Sequence, residues 1–523
     1  MLSYPLSTLI ILPWLGALLV ALVRRPTLAR LLASGVSLLV VCWTAYVWMR
    51  FLPDRAGGLQ LAERLGPWIA GFDVSYYVAL DGLNLPFLVM VALLGFLVIW
   101  GSWAVPRAHE AAYYALLLLL MGALFGAFLA VDLVLFYVFF ELTLIPAFFL
   151  IGLWGRQEAW GAALRFLLYT LVGSLLLLVA ILYVGVEAGR AFNNSVFTAD
   201  WLRISRQYLP ELKEQYWLLG AFALAFVIKA GLVPVHAWLP AAYAEGPPLL
   251  IGLSKLGVYG MLRWGAPLFP SAWEGLVSMG AILGLLSVLY GGLLAYSERD
   301  ARRALAYGSI AHMGLLFLGL SATTAEAWQG VIWQAVMSTW IVAGLFVLLA
   351  DLERRLGGLL APELYGGWAG PLPLQAAFFG VLVLAFIGLP GLAGFVGEWL
   401  ILLGAFRSPL LDSGWYAAIA ASGVVLAAVY MLRLFERLFW GPLKRVPNPG
   451  SSWGLFGLLP ALALVLGFGL APRYGLYRSE AQLTYLLELR AQRVQQLQES
   501  NRRSDRLLPS PDPVATDGMV FPR

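Results

Sequence analysis

Runs of about twenty apolar residues recur along this chain from end to end, each long enough to cross the hydrocarbon core of a bilayer as a helix. Inside lipid every backbone N–H and C=O needs an internal partner, so only helices or a closed barrel can span it. The ten-residue alternation of a transmembrane barrel is missing. With 61% of its 523 residues hydrophobic and only 12% charged, the chain is far from the balance of a soluble domain. The sequence predicts an all-α polytopic membrane protein of about fourteen transmembrane helices. The expected spans are roughly 2–23, 31–52, 83–105, 111–130, 133–154, 162–187, 216–244, 249–269, 276–296, 302–321, 326–351, 372–405, 413–436 and 453–471. No small-residue cleavage site follows the first run, so residues 2–23 read as a retained span.

Placing the loops alternately on two sides gathers Arg24, Arg25, Arg30, Arg107, Arg156, Arg299, Arg302, Arg303, Arg354, Arg355, Lys444 and Arg445 on one of them. By the positive-inside rule that side is cytoplasmic, which puts both termini on the outer face. The net charge of +5 is therefore a matter of orientation, and its scatter among short loops argues against a nucleic-acid partner. One cysteine, Cys42, and three histidines, His109, His236 and His312, are too few for an iron–sulfur cluster, a zinc site or a disulfide framework. Electron carriers are not expected in this chain. The loops at 53–82 and 190–214 are longer, and WLRISRQYLPELKEQYW reads as an amphipathic segment on the outer surface. Past Pro472 the composition changes: residues 479–500 carry Leu483, Leu486, Val494 and Leu497 at helical spacing among charges, before a disordered Pro-, Asp- and Ser-containing end.

Two spans are interrupted by proline and glycine. VIKAGLVPVHAWLP around Pro234 has a counterpart in LAFIGLPGLAGFVGEWL around Pro390 and Gly391, with the two prolines 156 positions apart. Broken spans at corresponding positions of two halves point to an inverted-repeat transporter with its site at the membrane midplane. The expected organisation is spans one to three over 1–110 and a first repeat, spans four to eight, over 111–270. A second repeat, spans nine to thirteen, covers 271–440; span fourteen covers 441–475 and the tail 476–523.

Few ionisable groups fall well inside the spans: Glu141, Lys229, Lys255, His312 and Glu398. A charge at that depth is costly unless paired, hydrated or neutralised, and marks a functional site by default. A buried lysine loses affinity for its proton through desolvation and regains it when a carboxylate comes near, with shifts of up to about 3–5 units, or roughly 4–7 kcal/mol. Moving one proton against about 150–200 mV costs roughly 3.5–4.6 kcal/mol. A glutamate that approaches and leaves a buried lysine therefore supplies enough drive for a proton channel or pump. Each residue also has a structural reading: a protonated Glu141 bonded to a carbonyl opened near Pro146, an ion pair for Lys229 and Glu398, and a packed polar group for Lys255 or His312. His236 is placed to donate to a carbonyl freed by Pro234 or to join a proton wire. Asp132, at the start of its span, reads as a helix cap, and Arg165, a few residues inside its span, as a partner for an acid or a side chain that snorkels inward; both are accessory candidates.

At these residues the chain resembles a known family. FELTLIPAFFLIGLWG, IKAGLVPVHAWLP, LSKLGVYGMLR, YGSIAHMGLLFLG and IGLPGLAGFVGEWLILLGAF are similar to the signature stretches of the antiporter-like proton-translocating subunits of respiratory complex I, of the type called subunit M in bacteria and chain 4 in mitochondria and plastids. The resemblance spans about residues 80–440. It implies two inverted five-helix repeats with broken seventh and twelfth helices, and proton translocation driven by quinone reduction elsewhere in the complex. Glu141 matches the fifth-span glutamate at a subunit junction and Lys229 the seventh-span lysine it modulates. Lys255 matches the eighth-span relay lysine, His312 the tenth-span histidine and Glu398 the terminal acid. The stretch EGPPLLIGLSK, Glu245 to Lys255, is shorter than the family pattern.

The resemblance further implies a subunit of an NAD(P)H- or ferredoxin-quinone oxidoreductase, with quinone and redox centres in partner subunits and no redox chemistry here. Its partners would be other membrane-arm subunits and lipid, with protons as substrate. Its membrane would be a bacterial inner membrane or a cyanobacterial thylakoid. A subunit of a multi-subunit cation/proton antiporter or membrane-bound hydrogenase shares these motifs, and a non-conducting scaffold is the reading from another class.

Overall fold

The protein is described from a computed structural model that covers residues 4–53, 58–68, 72–104, 108–192, 196–358, 362–448, 455 and 457–507, with side chains described to residue 499. Arg107 and the expected disordered end, residues 508–523, lie outside the described residues. The chain is mostly helical, as an apolar sequence that must satisfy its own backbone requires.

The first helices are α1 (Pro5–Ala21), α2 (Pro26–Arg50), α3 (Leu85–Gly101) and α4 (Glu110–Leu129). Next come α5 (Leu133–Leu142) and α6 (Leu144–Trp154), separated only by Thr143, and then α7 (Ala159–Ala191) and the short α8 (Trp201–Gln207). The seventh expected span is two helices, α9 (Leu212–Ala230) and α10 (Trp238–Glu245). The eighth is pieced together from α11 (Ile251–Gly260), a π-turn at Met261–Gly265 and α12 (Ala266–Leu268). After α13 (Pro270–Ser297), α14 (Ala301–Ala322) and α15 (Ala325–Arg355), the twelfth expected span is again two helices, α16 (Pro373–Phe386) and α17 (Ala393–Phe406). The chain closes with α18 (Trp415–Phe439), α19 (Leu459–Leu470) and α20 (Arg473–Leu507).

Among the described residues eight helices are long and apolar enough to cross a membrane, counting α5 with α6. One more pair, α19 with α20, passes the same test together but is bent by 75°, and α1, α3, α16 and α17 are shorter apolar helices. Small residues let the helices approach closely. A Cβ on Gly284 of α13 would stand 2.7 Å from the Gly314 carbonyl of α14, and one on Gly314 would stand 2.4 Å from the Gly284 carbonyl. α14 and α15 are buried along almost their whole length, which makes them the axis of the bundle.

The expectation of an all-helical chain needs one correction. Within the loop expected at 53–82, β1 (Gln60–Pro67) and β2 (Ser75–Leu80) pair antiparallel, with Arg64 opposite Tyr77 and Glu63 opposite Val78. Valine and tyrosine in SYYVAL favour a pleated, half-buried strand. The hairpin closes one end of the bundle, where the Glu63 carboxylate accepts from the backbone N–H of Leu6 at 2.6 Å and Ser7 at 2.9 Å and so caps α1.

A second correction concerns WLRISRQYLPELKEQYW. Only Trp201–Gln207 forms a separate short helix, with Trp201 and Ile204 buried beneath it; a non-helical stretch over 208–210 leads to Glu211, which caps α9 and forms a capping box with Glu214. The C-terminal segment is anchored on its own chain. Arg478 donates to the Trp48 carbonyl at 2.9 Å, Arg490 pairs with Glu274 at 2.8 Å, and buried Arg493 donates to the Pro267 carbonyl at 2.8 Å. α20 thus straps the hairpin end. The opposite end gathers the expected basic loops: Arg30 pairs with Glu110, Arg156 with Asp300 at 3.3 Å, and Arg302 with Glu353 at 2.7 Å.

Near the hairpin end Arg263, on the π-turn, meets Asp81 at 2.6 Å with both side chains buried. Arg263 also donates to the Tyr259 hydroxyl at 3.0 Å, and Asp81 accepts from the N–H groups of Leu83 and Asn84. Breaking such a pair strands a buried charge, so Arg263→Met should lower stability by about 3–5 kcal/mol. Asp81→Leu with Arg263→Met should recover most of the loss, as read from the unfolding midpoint of the detergent-solubilised protein.

Candidate functional site

Lys229 lies in the last turn of α9, where the unpaired carbonyls of a helix C-terminus favour a cation. The helix stops because Gly231 turns left-handed, with φ of 74°, and Pro234 cannot continue it. The groups freed at this break find partners inside the protein. The Trp238 indole donates to the Ile228 carbonyl at 2.8 Å, and the Val233 N–H donates to the Ser287 hydroxyl at 3.1 Å. Pro234 itself is exposed on the bundle surface.

The Lys229 side chain is 1% exposed. Its ammonium donates to the Thr143 hydroxyl at 3.1 Å and lies 4.4 Å from the centre of the Phe140 ring. Thr143, the residue that parts α5 from α6, donates its hydroxyl hydrogen to the Phe140 carbonyl at 2.7 Å. Glu141, two residues before Thr143, is half-buried and its Oε1 has no hydrogen-bond partner. No contact within 4 Å joins its carboxylate to Lys229. The pair stands apart, with a hydroxyl on the lysine.

Lys255, in the second turn of α11, is fully buried as well. The short connection from Glu245 leaves it in a regular helix, so the departure at EGPPLLIGLSK does not break the eighth span before the lysine. Its ammonium donates to Ser338 of α15 at 3.2 Å and lies 3.3 Å from the Met313 sulfur of α14. Helices α9 and α11 cross closely: a Cβ on Gly257 would stand 2.3 Å from the Phe226 carbonyl and 3.0 Å from Ala230.

His312 precedes Met313 on α14 and stacks on Phe386, the last residue of α16, at 4.0 Å between ring centres. Its Nε2 lies 3.7 Å from Oε1 of Glu398, and neither ring nitrogen has a hydrogen-bond partner among the described residues. Glu398 stands on α17 beyond the second break. The same Oε1 accepts from Gln334 of α15 at 3.3 Å. Its Oε2 fills the space beside Gly388, where a Cβ would come within 2.2 Å. Gly388 and Gly391 both hold positive φ, and Pro390 and Gly391 are exposed like Pro234.

The structure therefore brings His312 and Glu398 together, sets Lys255 against α14 and α15, which carry His312 and Gln334, and places Lys229 on a helix that crosses that of Lys255. Three neutral residues that touch these groups escaped sequence reading: Thr143, Ser338 and Gln334. Ser338 and Gln334 are four apart on one face of α15, a polar pair at helical spacing within an apolar run, and that was the available signal.

The accessory candidates separate from this group. Asp132 is the N-cap of α5: it accepts from the N–H groups of Val134 and Leu135 at 2.9 Å and of Ser75 at 3.0 Å. Arg165 is exposed and pairs with Glu158 at 3.2 Å, because it sits on the outward face of α7. His236 is half-buried with its ring edge-on to Tyr290 at 5.3 Å, and its Nδ1 has no hydrogen-bond partner among the described residues. Among the described residues no three His, Cys, Asp or Glu side chains come together as a metal site.

A cavity of about 440 Å³ opens at the basic end between α4, α6, α10, α14 and α15, lined by Tyr113, Arg156, Glu245, Arg302 and Glu353 among others. Glu245 holds one buried oxygen without a hydrogen-bond partner.

Residues 130–428 match the family described as NADH:quinone oxidoreductase/Mrp antiporter, TM. Subunit M of the NADH-quinone oxidoreductase of Pseudomonas aeruginosa is 34% identical over 494 residues, covering 88% of this chain and 92% of that one. A chain of the respiratory complex I of Thermus thermophilus solved with bound NADH superposes with a TM-score of 0.82 at 32% identity, covering 92% of this chain and 99% of its own. A chain of the Mrp complex of Dietzia sp. shares the fold, with a TM-score of 0.79 at 23% identity over 95% of this chain and 99% of its own.

Replacing Thr143 by Val removes the hydroxyl from the buried ammonium and should cost about 1–3 kcal/mol of stability. Thr143→Ser should retain most of it, as measured by thermal unfolding of the purified protein.

Proposed function

The chain belongs to the NADH:quinone oxidoreductase/Mrp antiporter transmembrane family, and we propose that it carries protons across the membrane as a membrane-arm subunit of a complex I-type quinone oxidoreductase. The observation that carries this reading is the set of buried ionisable groups met by neutral partners, at and between two broken helices. Lys229 rests on Thr143, Lys255 on Ser338, and Glu398 on Gln334 within reach of His312. A group held by a neutral hydroxyl or amide is free to gain or lose its charge. A group locked in an ion pair is not.

In the proposed path a proton enters from the basic end, where the cavity beside Glu245 and Arg302 admits water, and reaches Lys229. It moves laterally by way of Lys255 and His312 and leaves through Glu398. Glu141, half-buried and unpaired with Lys229 in this state, supplies the approaching charge that loads and unloads the lysine. Quinone and redox centres belong to partner subunits. This chain contributes binding, orientation and timing of protons, with no electron transfer of its own.

The finer architecture proposed is fourteen spans. Two inverted five-helix repeats, about 111–270 and 271–440, follow spans over 1–110 and precede a last span at 441–475 and the tail. Two broken spans, with Lys229 just before one break and Glu398 just after the other, support that relation. The basic end is proposed to face the cytoplasm, with the hairpin and both termini on the outer side of a bacterial inner membrane or a thylakoid. The Mrp-like fold leaves a cation/proton antiporter as the second reading, while identity to subunit M favours the first.

Lys229→Ala should abolish proton pumping while the complex still assembles, measured as acidification of vesicles holding the reconstituted complex. Pumping per electron equal to that of the unaltered complex would refute the path.

A further inference from the structure

The geometry points to Gln334 as a positioning residue that reads the charge of Glu398 by turning its amide. This rests on the proposed relay, in which Glu398 alternates between carboxylate and acid. Gln334 is 1% exposed, and its Nε2 donates to Glu398 Oε1 at 3.3 Å while its own Oε1 is buried without a hydrogen-bond partner. That arrangement suits a carboxylate, which only accepts. Once the carboxyl carries a proton it must donate, and a buried donor without an acceptor is costly.

Two other polar groups face Glu398, the His312 imidazole and the buried Tyr430 hydroxyl, and neither makes a hydrogen bond to it. Oε2 is pressed against Gly388, Oε1 lies 3.7 Å from His312 Nε2, and the Gln334 amide is the group in direct hydrogen-bond contact. An amide carries a donor and an acceptor on one planar end, and rotation about its last torsion exchanges them across a broad, shallow potential. Turned over, Gln334 Oε1 would accept from the Glu398 hydroxyl and Nε2 would take its place on the far side. One side chain then serves both charge states.

The packing holds the Gln334 side chain against α17. A Cβ on Gly397 would stand 2.6 Å from Gln334 Oε1 and 2.7 Å from its Cβ, and one on Gly330 would stand 2.8 Å from the Ile401 nitrogen. These glycines bring α15 against α17 so closely that Gln334 cannot swing away. One turn further along the same face, Ser338 holds Lys255, so the amide also stands between the last lysine and the terminal acid.

Infrared difference spectroscopy on the assembled complex tests this. The carboxyl C=O band that vanishes in Glu398→Gln belongs to Glu398. With glutamine side chains carrying ¹³C, a glutamine carbonyl band should change in step with that carboxyl band in the otherwise unaltered protein. In Gln334→Met, and in Gln334→Leu, the glutamine band should be lost and the carboxyl band should move to higher frequency as its hydrogen bond disappears. Proton transport should then slow about tenfold. A carboxyl band that responds while no glutamine band moves with it overturns the role of Gln334. So does a carboxyl frequency unchanged in either variant. Unimpaired pumping in Glu398→Gln would instead overturn the relay on which the inference rests, and the inference with it.

Discussion

An ammonium group cannot sit in hydrocarbon without a partner, and the form of that partner decides what the site can do. Lys229 and Lys255 are both buried, and each is met by a hydroxyl, Thr143 or Ser338, with an aromatic ring or a sulfur completing the shell. A carboxylate in either place would fix the positive charge by several kcal/mol. A hydroxyl stabilises the ammonium as an acceptor and the neutral amine as a donor. The choice of partner is what leaves the charge movable.

The rest of the bundle keeps these partners in place. Thr143 is positioned by the gap between α5 and α6, Lys229 by the early stop of α9, and Ser338 and Gln334 by the long buried helix α15. Fixed charges are kept to the two ends. At the basic end Arg156, Arg302, Asp300 and Glu353 neutralise one another. Near the hairpin end Asp81 and Arg263 form a fully desolvated ion pair, beside a C-terminal helix fastened by Arg478, Arg490 and Arg493. Between the ends, among the described residues, no carboxylate pairs with either buried lysine, and the 3.7 Å contact of His312 with Glu398 is an ion pair only when the imidazole carries a second proton.

The sequence showed the charged members of the site plainly, because Glu141, Lys229, Lys255, His312 and Glu398 interrupt long apolar runs. The two breaks were equally visible through Pro234 and Pro390. Thr143, Ser338 and Gln334 were not, since neutral polar residues are tolerated in membrane helices and only the fold reveals which of them face a charge. Arg263 and Asp81 were overlooked because one lies near the end of its span and the other in a loop, where a charge normally reaches water. Helix propensity and hydropathy also hid the hairpin: its strands are short, only β1 carries charges, and their contacts with the ends of α1 and α5 are a tertiary matter. Asp132 as a cap was legible from its position alone.

The central claim is that a proton passes laterally between buried lysines that hold their charge on neutral partners. Its most direct test is the proton-to-electron ratio of vesicles holding the complex with Lys255→Met, which preserves the length of the side chain and removes its charge. The account predicts that quinone reduction coupled to pumping falls and that fewer protons are moved per electron. An unchanged ratio at an unchanged rate would contradict it.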